Sequence, residues 1–153
     1  MLFRSKDLCS RDFVALALAV KNLLAPMGVP LVINDRIDVA LACAAQGVHL
    51  GQSDMPVVLA RKLLPPEVFI GLSVENLNDV ARVVGQPVDY LGVSPIYFTP
   101  TKTDTAAPWG LAGLSQVRAM TALPLVAIGG VHLGNAADVL DRKSTRLNSS
   151  HRL

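Results

Sequence analysis

The chain contains few cysteines, charged residues and aromatic residues, and these low contents exclude several classes of protein. Its 153 residues include only two cysteines, 17% are charged and 5% are aromatic. Two cysteines are too few for a disulfide-stapled mini-protein, and a hydrophobic fraction of 51% is too high for a disordered tail. No run of about 18 uncharged apolar residues occurs, and no charged N-terminal segment precedes a long apolar block. These absences predict a soluble cytoplasmic protein without membrane contacts.

An evenly spread excess of positive charge is also absent. The formal net charge is +2, but four basic residues lie beyond residue 141, where no acidic residue occurs: Arg142, Lys143, Arg146 and Arg152. Taking these four from the 14 basic residues leaves 10 against 12 acidic ones. Because nucleic-acid binding requires a basic face on the folded part, no nucleic-acid partner is predicted.

Short β-branched apolar runs alternate with helical patterns along the chain. Five runs have the length of strands buried on both faces, and they cover residues 29–34, 47–51, 69–73, 90–95 and 125–130. Ser10 is expected to cap a helix over 12–24, and a second helix is expected over 37–46 with Gly47 at its end. Strands alternating with helices predict parallel βαβ units.

Two parallel folds fit these units, an open doubly wound sheet and part of a (β/α)8 barrel. A complete barrel takes about 200 residues or more, so the length favours the open sheet. The polar residues favour the barrel, because they follow the C-terminal end of nearly every strand and a barrel gathers these ends at one face. The residue pattern leaves both folds open.

Two aspartates follow neighbouring strands. Asp35 comes after the run VIN, and Asp54 comes after GVHLGQS. An aspartate after a strand is commonly a helix N-cap, and Ser53 is an alternative cap beside Asp54. Two carboxylates at adjacent strand ends also suit Mg²⁺, which takes one or two carboxylates together with substrate phosphate oxygens. The pattern therefore predicts either helix caps or a magnesium site.

Two further segments carry groups that bind phosphate. Residues 99–102 (TPTK) offer two hydroxyls and a lysine, and Gly129 with Gly130 closes a strand ahead of a helix. A solvated loop and a bare turn are the alternatives. His49 is interpreted as a core histidine and Trp109 as loop packing. Because no Ser-His-Asp or Cys-His arrangement stands out, stabilisation of a leaving phosphate is favoured over covalent catalysis.

The order of these segments resembles the thiamine-phosphate synthase family. The matching blocks are LVINDRIDVALACAAQGVHLGQSDMP, IGLSVEN, YLGVSPIYFTPTKTDTAAPWGL, and VAIGGV with Asn135 a few positions on. The resemblance implies an incomplete TIM (β/α)8 barrel that holds about strands 3 to 7. It also implies a transferase that joins a pyrimidine diphosphate to a thiazole phosphate, releases pyrophosphate and uses Mg²⁺.

The same resemblance implies roles for single residues. Pyrimidine-diphosphate contacts are implied for Lys6, Asn34, Ser73 and Lys102, and thiazole-phosphate contacts for Thr99, Thr101 and Gly130. Asp35 and Asp54 are the implied Mg²⁺ ligands. Lys102 and Ser73 are the implied catalytic residues.

Both ends of the chain depart from the family pattern. Residues 2–5 (LFRS) and 141–151 (DRKSTRLNSSH) read like frames of a sequencing adapter. We therefore expect a partial barrel domain over 6–140, with residues 1–5 and 141–153 as non-native ends. Arg4 then matches a family arginine only by accident.

Other functions fit parts of the pattern. The related thiazole tautomerase needs no diphosphate and Mg²⁺ site, so Asp35, Asp54 and residues 99–102 argue against it. A non-catalytic fragment is a second alternative, because missing barrel strands leave open sheet edges. A phosphate-binding module on an open sheet is a third.

Overall fold

The computed structural model describes residues 1–5, 8–98 and 107–143. The strands are β1 (Leu2–Phe3), β2 (Val32–Asn34), β3 (Gly47–Leu50), β4 (Phe69–Val74), β5 (Tyr90–Val93) and β6 (Leu125–Ala127). The helices are α1 (Ser10–Leu24), α2 (Ile37–Ala42), α3 (Val57–Leu63), α4 (Leu77–Val83), α5 (Gly110–Met120) and α6 (Ala136–Lys143). A 3-10 turn, Ala25–Met27, follows α1. None of the described helices is long and apolar enough to cross a membrane.

The strands follow one another in the sheet in chain order, from β1 to β6. Strand β2 pairs in parallel with both β1 and β3, β3 pairs in parallel with β4, and β5 pairs in parallel with β6. Helices connect successive strands, as the crossover connections of a parallel sheet require. The predicted α/β class and the five predicted strands are confirmed. The additional strand, β1, lies in the N-terminal residues expected to be non-native. The centroid of its Phe3 ring lies 5.7 Å from the centroid of the Phe13 ring of α1.

The chain divides into two compact units. One consists of Met1–Leu72 with Gln86–Asp89, and the other of Ser73–Gly85 with Tyr90–Leu153. Most of the buried side chains are branched aliphatic residues, and each strand from β2 to β6 contributes at least one of them, as expected for parallel strands covered on both faces. The fully buried side chains of the first unit include Phe13, Leu31, Ile33, Val48, Leu50 and Ile70. Those of the second include Val74, Leu91, Ile96 and Leu114.

The helix ends differ from the prediction in two places. Ser10 is the first residue of α1 and not its cap, because Cys9 occupies the N-cap position. Helix α2 ends at Ala42, short of the predicted residue 46, because Ala44 takes a left-handed φ of 48° that turns the chain toward β3. The predicted helix end, Gly47, instead begins β3.

The glycine at the start of β3 packs closely against a side chain of β4. A Cβ on Gly47 would lie 2.3 Å from the Phe69 ring of the neighbouring strand β4. Any larger residue there would have to displace that ring. Gly47 therefore marks a close approach between two strands, a tertiary contact that resembles a helix end in the sequence.

Lys21 of α1 stabilises the end of α2. Its ammonium donates to the carbonyl oxygens of Cys43 at 3.0 Å and Ala44 at 2.7 Å. Carbonyls at a helix C-terminus have no partner inside the helix, so a cation satisfies them well.

We expect Lys21→Met to lower the free energy of unfolding by about 1–2 kcal/mol, because the apolar stem is kept while two charge-assisted hydrogen bonds are lost. Lys62→Met, at an exposed position of α3, is the matched control and should change it by less than about 0.5 kcal/mol. Urea unfolding of both variants measures the difference. Equal losses would show that the Lys21 contacts contribute nothing beyond a surface charge.

Candidate functional site

The first unit brings Asn34, Asp35 and Asp54 to the C-terminal ends of neighbouring strands. Strand β2 ends at Asn34, which lies opposite His49 of β3 in the parallel register. The Asp35 N–H donates to the His49 carbonyl oxygen at 2.9 Å, so the pairing continues one residue beyond β2. Because parallel strands end on the same side of a sheet, Asp35 reaches the turn that follows β3.

Asp54 lies in that turn and is held by Gly51. Its Oδ2 accepts a hydrogen bond from the Gly51 N–H at 2.6 Å, and its own N–H donates to the Gly51 carbonyl oxygen at 3.3 Å. A Cβ on residue 51 would lie 3.0 Å from the same Oδ2, so glycine permits the close approach. These contacts orient the Asp54 carboxylate from the backbone side.

The helix-cap alternative is wrong for both aspartates and for Ser53. Arg36 occupies the N-cap of α2, and Pro56 occupies the N-cap of α3. Asp35 instead has a left-handed φ of 66°, which costs a non-glycine residue about 1–2 kcal/mol. Backbone strain of this kind concentrates at functional sites.

The two carboxyl groups interact directly. Burial raises the pKa of Asp35 above its usual 3.8, and a hydrogen bond with Asp54 and its negative charge raise that pKa further. Arg4, whose Nη2 lies 3.4 Å from Asp35 Oδ2, acts in the opposite direction, as does Asn34, whose side-chain amide donates to Asp35 Oδ1. Burial, the largest cause, and the neighbouring acid both disfavour the ionised form of Asp35, which a bound cation would stabilise.

The donor set suits a divalent cation. Carboxylate oxygens are hard ligands of the kind that Mg²⁺ prefers. Within residues 1–5, 8–98 and 107–143, no group of three or more His, Cys, Asp or Glu side chains could enclose a metal ion. Mg²⁺ typically takes only one or two carboxylates and completes its shell with water and phosphate oxygens. Asp35 and Asp54 therefore fit a cation that is shared with a phosphorylated ligand.

Two predicted substrate contacts belong to the second unit. Ser73 lies in β4 and is half-buried. Gly130 follows β6 with a left-handed φ of 67°, and Gly129 before it has a φ of 94°. We call residues 129–130 the diglycine turn. A Cβ on Gly130 would lie 2.6 Å from the Tyr97 Cβ, so this turn packs closely on the chain that follows β5.

The other four predicted contacts lie outside the described residues. They are Lys6, Thr99, Thr101 and Lys102. Their roles at a phosphate group therefore stay predictions.

Two residues beside the carboxylate pair were not predicted from the sequence. Arg4 received no role because its segment reads as a non-native end, yet it lies against Asp35. Arg4 could have been predicted from its position directly after β1, because β1 and β2 are parallel and Asp35 follows β2 at the same end of the sheet. Gly51 gave no signal, since its contact with Asp54 depends on the turn geometry. His49 is 4% exposed, which agrees with its interpretation as a core histidine.

The sequence and the fold are both similar to known proteins. The family model described as thiamine monophosphate synthase matches residues 1–147. A thiamine-phosphate synthase of Albidiferax ferrireducens is 74% identical over 137 residues, covering 90% of this chain and 63% of the relative. One from Vibrio parahaemolyticus is 52% identical over 125 residues, covering 82% of this chain and 61% of the relative.

A solved structure of thiamine phosphate pyrophosphorylase from Pyrococcus furiosus superposes with a TM-score of 0.83 at 33% identity, covering 92% of this chain and 67% of that one. The chain spans 61–63% of the length of the two curated relatives described above. A family model that matches nearly the whole chain, together with this agreement in sequence and fold, shows that the chain belongs to the thiamine monophosphate synthase family.

Proposed function

We propose that this family member is a thiamine-phosphate synthase. It would couple 4-amino-2-methyl-5-(diphosphooxymethyl)pyrimidine with 4-methyl-5-(2-phosphoethyl)thiazole and release pyrophosphate in the cytoplasm. The observation that carries the proposal is the Asp35–Asp54 carboxylate pair at adjacent strand ends, with the pKa of Asp35 raised. The parallel strands in chain order support the finer assignment as an incomplete TIM (β/α)8 barrel.

The charge at the site explains why a metal would be needed. Asp35 and Asp54 would hold Mg²⁺, which when bound neutralises charge on the diphosphate and so makes it a better leaving group. Arg4 lies against Asp35 and lowers its pKa, but burial and the neighbouring Asp54 carboxyl group outweigh this effect, so the pKa remains raised. A bound divalent cation would therefore stabilise the ionised forms of both carboxyl groups.

The remaining proposed residues would anchor the two substrates. Asn34, Ser73, Lys6 and Lys102 would contact the pyrimidine diphosphate, with Ser73 and Lys102 as catalytic residues. Thr99, Thr101 and Gly130 would contact the thiazole phosphate. The carbon–oxygen bond to the diphosphate breaks first, and its electron pair leaves with pyrophosphate. The pyrimidine amino group delocalises the resulting positive charge until the thiazole nitrogen forms the new carbon–nitrogen bond. Holding both phosphates keeps the nucleophile close to this short-lived cation.

The carboxylate pair favours this reaction over thiazole tautomerisation. A tautomerase acts on a single phosphorylated thiazole and has no diphosphate charge to neutralise. Asp35 has a left-handed φ of 66° and interacts with a second acid, an arrangement of two acidic groups that a bound cation would stabilise. A leaving diphosphate with Mg²⁺ provides one.

The proposal is tested by incubating the full chain with both substrates and MgCl₂. We expect thiamine phosphate and pyrophosphate in equal amounts, no product in EDTA, and recovery of the rate when Mg²⁺ is added back. The Albidiferax ferrireducens relative serves as the positive control. An unchanged rate in EDTA would contradict the magnesium assignment.

If the relative forms product and this chain does not, the non-catalytic fragment is favoured. Calorimetric melting of this chain then separates two explanations. A broad transition indicates loose packing at open sheet edges, while a sharp two-state transition indicates a folded chain that lacks a catalytic group.

A further inference from the structure

Asn135 uses both ends of its side-chain amide to hold the turn after β6. Its Nδ2 donates to the Gly130 carbonyl oxygen at 3.0 Å, and its Oδ1 accepts from the His132 N–H at 2.8 Å. The Asn135 N–H also donates to the His132 carbonyl oxygen at 3.0 Å. Together these three hydrogen bonds close residues 130–135 into one turn ahead of α6.

The bond to Gly130 fixes the direction of a peptide group. Glycine occupies left-handed and right-handed backbone regions with similar ease, so the peptide between Gly130 and Val131 would otherwise rotate at little cost. In a trans peptide the carbonyl and the following N–H point in opposite directions. Because Asn135 holds the Gly130 carbonyl, the Val131 N–H is aimed away from Asn135.

The same turn is tied to the chain that follows β5. The Gly129 carbonyl oxygen accepts from the Tyr97 N–H at 3.0 Å. Cβ atoms at positions 129 and 130 would lie 2.9 Å from the Pro95 Cβ and 2.6 Å from the Tyr97 Cβ. These contacts leave the diglycine turn little room to move. The hydrogen bond from Asn135 then restricts the rotation of the peptide group between Gly130 and Val131.

We propose that Asn135 is a positioning residue for a phosphate group bound at the diglycine turn. The inference rests on the proposed function, in which Gly130 contacts the thiazole phosphate. Successive backbone N–H groups in a turn with left-handed residues form concave anion-binding sites. Asn135 acts on such a site through the peptide that it orients and makes no contact with the phosphate itself.

The test compares Asn135→Asp and Asn135→Ala with the unmodified full chain. Aspartate keeps the acceptor for the His132 N–H but places a carboxylate oxygen against the Gly130 carbonyl, and alanine removes both bonds. We expect the Kd for the thiazole phosphate, measured by titration calorimetry, to rise about tenfold in both variants, as the loss of one well-placed donor would produce. The KM for the thiazole phosphate should rise by a similar factor, and the KM for the pyrimidine diphosphate should stay within about twofold.

Asn78→Asp is the matched control, because Asn78 is an exposed asparagine on α4 of the same unit. It should leave the Kd and both KM values unchanged. If Asn135→Asp does not fold, Asn135→Ser replaces it, since a serine hydroxyl can accept from the His132 N–H but is too short to reach Gly130. A purely structural role would lower the melting temperature and raise both KM values together.

The outcomes separate this inference from the proposed function. An unchanged Kd in a folded Asn135 variant, or an equal rise in both KM values, overturns the positioning role. The role also falls if the unmodified chain binds neither the thiazole phosphate nor inorganic phosphate. If the unmodified chain binds the thiazole phosphate, the variants lose that binding and no protein forms product, then the role of Asn135 stands and the synthase assignment falls.

Discussion

Asp35→Asn and Asp54→Asn are each expected to lower the rate of thiamine phosphate formation about 100-fold or more, the loss typical when one preorganised electrostatic group is removed. Asparagine has nearly the shape of aspartate but lacks the charge that would hold Mg²⁺. In the absence of Mg²⁺, Asp35→Asn should also raise the melting temperature at pH 7. Activity and stability therefore change in opposite directions, as expected for a site where like charges are held together for function.

The sign of the stability effect follows from the raised pKa of Asp35. The folded chain binds this proton more tightly than the unfolded chain does, so the ionised carboxylate destabilises the fold. The penalty is absent well below the ordinary pKa of 3.8 and grows as the pH rises from there through the raised folded-state value. The difference in melting temperature between Asp35→Asn and the parent should grow over the same pH window and then level off.

Asp38→Asn is the matched control for this experiment. A hydrogen bond from Arg36 lowers the pKa of Asp38, so this carboxylate stabilises the fold above the ordinary pKa, and the stabilisation is lost as the pH falls through the lowered value. Its replacement should therefore lower the melting temperature slightly at pH 7 and leave the synthase rate unchanged. The assignment of Asp35 would be wrong if Asp35→Asn lowered the melting temperature at pH 7 and retained activity.

Mg²⁺ should have the complementary effect on the same variants. A ligand that binds only the folded state stabilises it, by about 2.7 kcal/mol at 100 times its Kd. Thermal melts with and without MgCl₂ should show an increase for the parent and for Asp38→Asn. The melting temperatures of Asp35→Asn and Asp54→Asn should not change when MgCl₂ is added.

Gly129→Ala is expected to lower the free energy of unfolding by about 2–5 kcal/mol, the sum of a left-handed backbone penalty and overpacking. Residue 129 has a φ of 94°, and its added Cβ would lie 3.0 Å from the Pro95 Cα and 2.9 Å from its Cβ. Backbone cannot move aside as a flexible side chain can, so the chain after β5 would have to shift. Guanidinium unfolding measures the loss.

Gly85→Ala separates the two contributions. Gly85 follows α4 with a φ of 80°, and among the described residues no heavy atom lies within 4 Å of the place where its Cβ would be. This variant carries only the backbone penalty, about 1–2 kcal/mol. Equal losses for the two variants would show that the contact with Pro95 is not a constraint.

The residue pattern predicted much of the fold and one part of the site. β-Branched apolar runs marked β2 to β6, and their alternation with helical spacing predicted parallel pairing, because both signals depend on neighbouring residues alone. The pairing of Asp35 with Asp54 was predictable as well. Parallel strands end on the same side, so residues that follow adjacent strands must lie close together.

Other features depended on atoms distant in sequence. The early end of α2 follows from the left-handed turn at Ala44, and glycine at position 47 follows from the Phe69 ring of the next strand. No periodicity in a single segment encodes these contacts. The sequence pattern at Gly47 therefore predicted a helix end, whereas the structure shows close packing between two strands.

What the sequence by itself determined is the order and type of the elements and the kind of chemistry at their ends, since these follow from local periodicity and residue type. The tertiary structure decided the charge balance of the site, through the approach of Arg4 to Asp35 and the raised pKa of Asp35. It also decided the hydrogen bond from the Asn135 side chain to the Gly130 carbonyl oxygen. Burial and hydrogen-bond direction arise only when separate segments pack together, because each depends on distances that no single segment contains.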